Sequence, residues 1–134
     1  MRIPRVLLVD DEVQFTTNMA KLLSRRGYEV SAVNDGNSAL RLIDTQEFDV
    51  VVLDLKMPGK DGITTLREIK RKRPDVEVII LTGYATVDSA VDGMRLGAYD
   101  YTMKPAILQE VDEKIKEAFE RKLMQEQKLK DTSK

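Results

Sequence analysis

Three aspartates, a threonine and a lysine stand at the ends of short apolar runs, and these residue types can do chemistry together. They are Asp10 and Asp11 after VLLV, Asp54 after VVVL, Thr82 after IIL, and Lys104 after YTM. Three crowded carboxylates raise the free-energy cost of one another's ionisation unless a cation compensates. Because the chain has no histidine or cysteine and offers oxygen ligands, we expect a hard cation. Mg²⁺ typically takes one or two carboxylates together with water and phosphate oxygens.

The position of Asp54 has no simple structural explanation. An aspartate directly before a helix can cap that helix by accepting hydrogen bonds from its free N–H groups. Asp61, which precedes GITTLREIKRKR, is the better candidate for this cap. Asp54 is thus left at the carboxyl end of a strand without a capping role, which favours a chemical one.

The elements that must position these residues follow from the hydrophobic pattern. Short apolar runs alternate with segments whose apolar residues recur every three to four positions, which predicts five strands, each followed by a helix. The runs are residues 5–10, 29–33, 49–55, 77–83 and 98–104. Two of the helical faces consist of Phe15, Met19, Leu22 and Leu23, and of Val87, Val91 and Met94.

This alternation predicts an α/β fold, a doubly wound five-stranded parallel sheet with helices on both faces. In such a sheet, sites form at the edge where the carboxyl ends of the strands meet. We therefore expect the five residues to converge on that edge.

Composition limits the classes of function. The 134 residues suffice for one domain, and a chain with 42% hydrophobic and 34% charged residues is expected to be globular. The net charge of −1 argues against strong attraction to nucleic acid or an anionic membrane. The absence of cysteine excludes disulfides, and the absence of histidine means that any phosphohistidine must come from a partner. Neither a signal peptide nor a run long enough to span a membrane is present, so we expect a cytoplasmic protein.

The motifs LLVDDE, VVLDLKMPGKDG, IILTGYA and YDYTMKP, in this order and spacing, resemble the receiver domain of bacterial two-component response regulators. The resemblance implies a flavodoxin-like sheet with strand order 2-1-3-4-5. It also implies that Asp54 is the phosphoacceptor, a carboxylate nucleophile that takes a phosphoryl group from a partner's phosphohistidine.

The remaining roles are likewise implied by the resemblance. Mg²⁺ would be bound by Asp11 directly, by Asp10 mostly through water, by Asp54, and by the backbone carbonyl of Lys56. Lys104 and Thr82 would each contact a phosphoryl oxygen. Pro105 resembles the family's cis proline, which orients the lysine.

Signalling would follow a two-state shift in which Thr82 moves toward the phosphoryl group and Tyr101 turns inward. The output surface would be the face of the fourth helix, fifth strand and fifth helix, which could also support a homodimer. The resemblance thus implies a signalling switch rather than an enzyme, although the domain would assist its own phosphorylation and dephosphorylation. Its partners would be a sensor histidine kinase or phosphotransfer protein, and a downstream output protein or domain.

The chain divides by pattern into a receiver domain over residues 1–120 and a helical extension with a frayed charged tail over 121–134. The segment GYATVDSAVDGMRLGAYDY resembles the sequences of receivers attached to sigma-54-dependent activators. The basic run REIKRKR is expected to be the exposed end of the third helix, where cations suit the helix dipole, and not a nucleic-acid site.

Three other kinds of protein share features with this sequence. A haloacid-dehalogenase-like phosphatase needs a second aspartate two positions after its nucleophile, where this chain has Lys56. A flavodoxin or dinucleotide-binding protein needs a phosphate cradle after the first strand, where this chain has DDE. A receiver-like binding module that is not phosphorylated remains open, although the complete set of five residues counts against it.

Overall fold

The computed structural model describes residues 2–55, 61–83 and 87–132, which form five strands and five helices in strict alternation. The elements are β1 Arg5–Val9, α1 Val13–Arg25, β2 Glu29–Val33, α2 Gly36–Thr45, β3 Val50–Leu53, α3 Gly62–Lys72, β4 Glu77–Thr82, α4 Val87–Arg95, β5 Asp100–Met103 and α5 Leu108–Thr132. All neighbouring strands are parallel, and their order is β2-β1-β3-β4-β5. The predicted fold class and strand order are therefore confirmed.

Both faces of the sheet are covered, because alternate residues of each central strand point to opposite sides. On one face, Leu7, Val51 and Ile80 pack with residues of α2 and α3. On the other face, Leu8, Val52 and Leu81 pack with residues of α1 and α5. Every residue of β3 and β4 is buried, as expected for strands between two helical layers.

The helix starts agree with the capping argument. The Asp61 side chain accepts a hydrogen bond from the Thr64 N–H and caps α3, and Asp35 caps α2 in the same way through Ser38. Asp54 caps neither of these helices.

Two predicted details differ from the structure. Four of the five strands are shorter than the apolar runs, β2 being the exception, so Asp10, Asp54 and Lys104 each lie one residue beyond the end of a strand. Leu22, Val91 and Met94, which the pattern places on apolar helix faces, are exposed. Periodicity identifies which residues share a face, but the neighbouring elements decide how much of that face is covered. Within the described part of the chain, no helix combines the length and apolar character needed to cross a membrane.

Candidate phosphorylation site

The predicted carboxylates meet at the carboxyl edge of the sheet. The side chains of Asp10, Asp11 and Asp54 each offer an oxygen within 4.8 Å of the others. Asp10 and Asp54 are only 3% and 5% exposed, whereas Asp11 faces solvent. All three donors are oxygen atoms, so the cluster fits a hard divalent cation such as Mg²⁺.

The backbone of the central strands fixes the two buried aspartates. The Asp54 N–H donates to the Val9 carbonyl at 2.9 Å, and the Asp10 N–H donates to the Val33 carbonyl at 3.2 Å. Asp54 thus continues the ladder between β3 and β1, while Asp10 continues the ladder between β1 and β2. Neighbouring strands therefore bring the two carboxylates together.

Lys104 reaches this cluster from the carboxyl end of β5, the last strand of the sheet. Its ammonium nitrogen lies 2.6 Å from Asp10 Oδ2 and 2.7 Å from Glu12 Oε1. The distance from the ammonium to Asp54 Oδ2 is longer, at 3.9 Å. The Lys104–Pro105 peptide bond is cis. The lysine is therefore within the site, but its close partners are Asp10 and Glu12.

The ionisation of the site reflects its crowding. Burial raises the pKa of Asp10, and the charge of Asp54 raises it further, while hydrogen bonding to Lys104 only partly offsets these effects. Burial would lower the pKa of Lys104, but its bonds to Asp10 and Glu12 outweigh burial and raise it. Lys104 therefore stays charged, and a further cation would favour the ionised form of Asp10.

The other predicted residues lie next to this cluster, on β4 and β5. Thr82 is the last residue of β4 and is buried, and its carbonyl accepts a hydrogen bond from the Lys104 N–H at 3.0 Å. Tyr101 lies on β5 and is 41% exposed, so its ring points at least partly to solvent. Lys56, whose carbonyl was expected to bind the metal, lies outside the described residues, and its role stays a prediction.

Gly62 allows the start of α3 to pack against the backbone of Asp54 and Leu55. A Cβ at residue 62 would lie 2.5 Å from the Asp54 carbonyl oxygen and closer still to the Leu55 Cα. The Gly62 N–H donates to the Leu55 carbonyl at 2.9 Å. A side chain at this position would displace the backbone that carries Asp54, since contacts below about 3 Å are not tolerated.

Two residues of the site were not identified from the sequence. Glu12 contacts Lys104, and the Asn34 side chain donates to the Asp10 carbonyl at 2.8 Å. Asn34 directly follows β2, so the rule that places Asp10 and Asp54 at this edge could have identified it. Glu12 is the third acidic residue in DDE, but an acidic residue before a helix is usually explained by the helix dipole.

Comparison with known proteins agrees with this geometry. Residues 6–116 match the family model of the response regulator receiver domain. The transcriptional regulatory protein ZraR of Escherichia coli K12 is 42% identical over 100 residues, which cover 75% of this chain and 23% of ZraR. The chain thus spans about a quarter of the length of this relative.

Two solved structures share the fold. A CheY-like receiver domain protein from Methanospirillum hungatei JF-1 has a TM-score of 0.90 and 30% identity, covering 92% of this chain and 99% of the other. A response regulator from Burkholderia pseudomallei, solved with a phosphorylated aspartic acid, a calcium ion and citrate, has a TM-score of 0.78 and 30% identity. That alignment covers 81% of this chain and 64% of the other. The chain therefore belongs to the response regulator receiver domain family, the phosphorylation-dependent switches of two-component signalling.

Proposed function

We propose that Asp54 accepts a phosphoryl group from the phosphohistidine of a sensor histidine kinase or phosphotransfer protein. An oxygen of the Asp54 carboxylate forms the new bond to phosphorus while the bond between phosphorus and the donor's imidazole nitrogen breaks, and the electron pair leaves with the imidazole. The observation that carries this proposal is the buried Asp54 carboxylate, whose oxygens lie within 4.8 Å of those of Asp10 and Asp11 and 3.9 Å from the Lys104 ammonium. A neighbour of the same fold was solved with a phosphorylated aspartic acid and a divalent ion.

Asp10, Asp11, Asp54 and the backbone carbonyl of Lys56 would hold Mg²⁺. When bound, the ion supplies positive charge that offsets the negative charge of the carboxylates and phosphoryl oxygens. The protein's own contribution is to place Asp54 at the carboxyl end of β3 and to keep Lys104 charged beside it. Phosphoryl transfer depends mainly on such positioning and electrostatics.

Lys104 and Thr82 would hold the phosphoryl oxygens once the bond to Asp54 has formed. Lys104 starts near enough to reach them because its ammonium lies 3.9 Å from Asp54 Oδ2. A hydrogen bond from the Thr82 hydroxyl to this charged group would contribute about 1.5–3 kcal/mol, enough to shift a two-state equilibrium about tenfold or more. Tyr101 starts exposed and would turn inward when Thr82 moves, which changes the face formed by α4, β5 and α5.

This face would control an output protein or an attached domain. The similarity to ZraR and the sequence of residues 83–101 favour attachment to a sigma-54-dependent activator. Residues 1–120 would then be the receiver, and residues 121–134 a helical extension. We propose a cytoplasmic signalling domain that assists its own phosphorylation and dephosphorylation, without enzymatic turnover of a separate substrate. The same face could form a homodimer, and the chain itself would not bind nucleic acid.

The test is the intact mass after incubation with acetyl phosphate, with and without Mg²⁺. The wild type should gain one phosphoryl group only with Mg²⁺, and Asp54→Asn should gain none. Asp44→Asn is the matched control, because Asp44 is exposed on α2 and its ion-pair partner is Lys72 at 2.9 Å. A wild type that binds Mg²⁺ but gains no phosphoryl group would exclude the phosphoacceptor role and leave the binding module as the better function.

A further inference from the structure

Glu12, at the start of α1, contacts a distant lysine and does not cap its own helix. It occupies the N-cap position with an extended backbone, yet its side chain makes no capping hydrogen bond. Its carboxylate instead contacts the Lys104 ammonium at 2.7 Å, across 92 positions of sequence. Because this carboxylate contacts a distant ammonium and does not cap its own helix, we infer a role in positioning that ammonium.

Glu12 also contacts the other partner of Lys104. The Glu12 N–H donates to Asp10 Oδ1 at 2.9 Å, while Asp10 Oδ2 lies 2.6 Å from the Lys104 ammonium. Asp10, Glu12 and Lys104 therefore form a closed ring of three contacts. One turn along α1, the Phe15 ring centroid lies 4.6 Å from the same ammonium, within the range of a cation–π contact.

We propose that Glu12 is a positioning residue that holds Lys104 at the α1 side of the site, away from the phosphoryl-accepting oxygens of Asp54. This inference rests on the proposed function of the site. The ammonium lies 2.7 Å from Glu12 but 3.9 Å from Asp54, so its attraction to Glu12 opposes a closer approach to a phosphoryl oxygen on Asp54. Glu12 thereby stabilises the unphosphorylated arrangement relative to the phosphorylated one.

The proposal predicts opposite effects on two measurable quantities. Glu12→Gln removes a negative charge next to the cation ligands, so the affinity for Mg²⁺ should fall about two- to fivefold. The same change releases Lys104 and reduces repulsion of an anionic phosphodonor. Phosphorylation by acetyl phosphate at saturating Mg²⁺ should therefore become about two- to fivefold faster, as expected for the loss of an ion pair whose carboxylate is exposed. General damage to the structure would lower both quantities.

The direct test is NMR of the lysine ammonium groups in the metal-free protein labelled with ¹⁵N-lysine. The Lys104 resonance, assigned by its loss in Lys104→Arg, should be shifted in Glu12→Gln. Glu12→Asp keeps the charge but shortens the side chain, so it should shift the Lys104 resonance while leaving the affinity for Mg²⁺ close to that of the wild type. Glu29→Gln is the matched control for net charge, because Glu29 is exposed and begins β2 at the opposite edge of the sheet.

An unchanged Lys104 resonance in Glu12→Gln would overturn the proposal, as would a fall in both Mg²⁺ affinity and phosphorylation rate. The NMR measurement needs no phosphorylation. A failure of Asp54 to accept phosphate would therefore appear separately, in the mass measurement on the wild type.

Discussion

Lys122 is expected to be one of the most important charged residues for stability, although it lies on α5 outside the region matched by the family model. Its side chain is only 7% exposed, and its ammonium lies 3.1 Å from Asp49 Oδ1 and 2.7 Å from Glu126 Oε1. Asp49 directly precedes β3 and is itself buried. Replacing Lys122 by methionine keeps the apolar stem but removes one of the charges that compensate Asp49.

The magnitude follows from what remains around Asp49. Breaking a buried ion pair costs about 3–5 kcal/mol when the other charge is left alone. Asp49 still has Arg2 at 2.5 Å and the Arg5 N–H at 2.8 Å, so the loss should be smaller. We expect about 2–3 kcal/mol, the upper part of the range of about 1.5–3 kcal/mol for a lost hydrogen bond to a charged group. For a chain of this length, that corresponds to a fall in Tm of about 6–12 °C.

Urea unfolding at pH 7, followed by circular dichroism, measures this loss. Lys72→Met is the matched control, since Lys72 pairs with Asp44 at 2.9 Å but both side chains are substantially exposed. The control should lose less than about 1 kcal/mol. The double variant Lys122→Met/Asp49→Asn should lose less than the sum of the two single variants, because the two residues interact directly. Equal losses for Lys122→Met and Lys72→Met would refute the reasoning.

Two other predictions concern packing and pH. Gly62→Ala should lower the free energy of unfolding by about 1–3 kcal/mol and slow phosphorylation of Asp54, because its Cβ would collide with the backbone of residues 54 and 55. Urea unfolding and intact mass test this, and Gly83→Ala, whose Cβ would meet its nearest atom at 3.9 Å, should cost much less stability. In acid, stability should fall as the pH drops from about 5 toward 2. Hydrogen bonding to Arg2 lowers the pKa of Glu126 to about 2 in the folded protein. The contribution of Glu126 to the free energy of unfolding is therefore complete above the pKa that it has in the unfolded chain, and it is lost as the pH falls. A urea midpoint that stays constant across this pH range would contradict the second prediction.

The sequence predicted the fold and most of the site because both depend on apolar pattern and strand direction. Four-residue apolar runs such as VVVL can only be covered on both sides in a central strand, and parallel strands bring their carboxyl ends to one edge. Those two facts place Asp10 and Asp54 together without knowledge of any contact. The side-chain packing of Tyr101 and the exposure of Met94 depend on neighbouring elements, so the pattern could not determine them.

The ion pairs of Lys122 and Glu12 could not be predicted from the sequence either, but the reason is different. Hydrophobic periodicity reports apolar burial, and a buried lysine leaves no signal in that pattern. Lys122 lies in a mostly charged stretch that the pattern assigns to the extension, yet it contacts Asp49 directly before β3. Glu12 likewise reads as an ordinary acidic residue before a helix. In both cases the partner lies more than seventy positions away in the sequence.

Asp49 and Asp54 show why the same residue type serves two purposes in one strand region. They flank the four residues of β3, and they are 4% and 5% exposed. At the amino end of the strand, Asp49 is paired with Arg2 and Lys122, and these bonds outweigh burial and lower its pKa. At the carboxyl end, Asp54 shares its surroundings with two further carboxylates, where a cation would be favourable. Asp49→Asn should therefore reduce stability and leave phosphorylation intact, whereas Asp54→Asn should abolish phosphorylation and keep or raise stability. Equal losses of stability in the two variants would refute the idea that position along the strand separates the structural aspartate from the functional one.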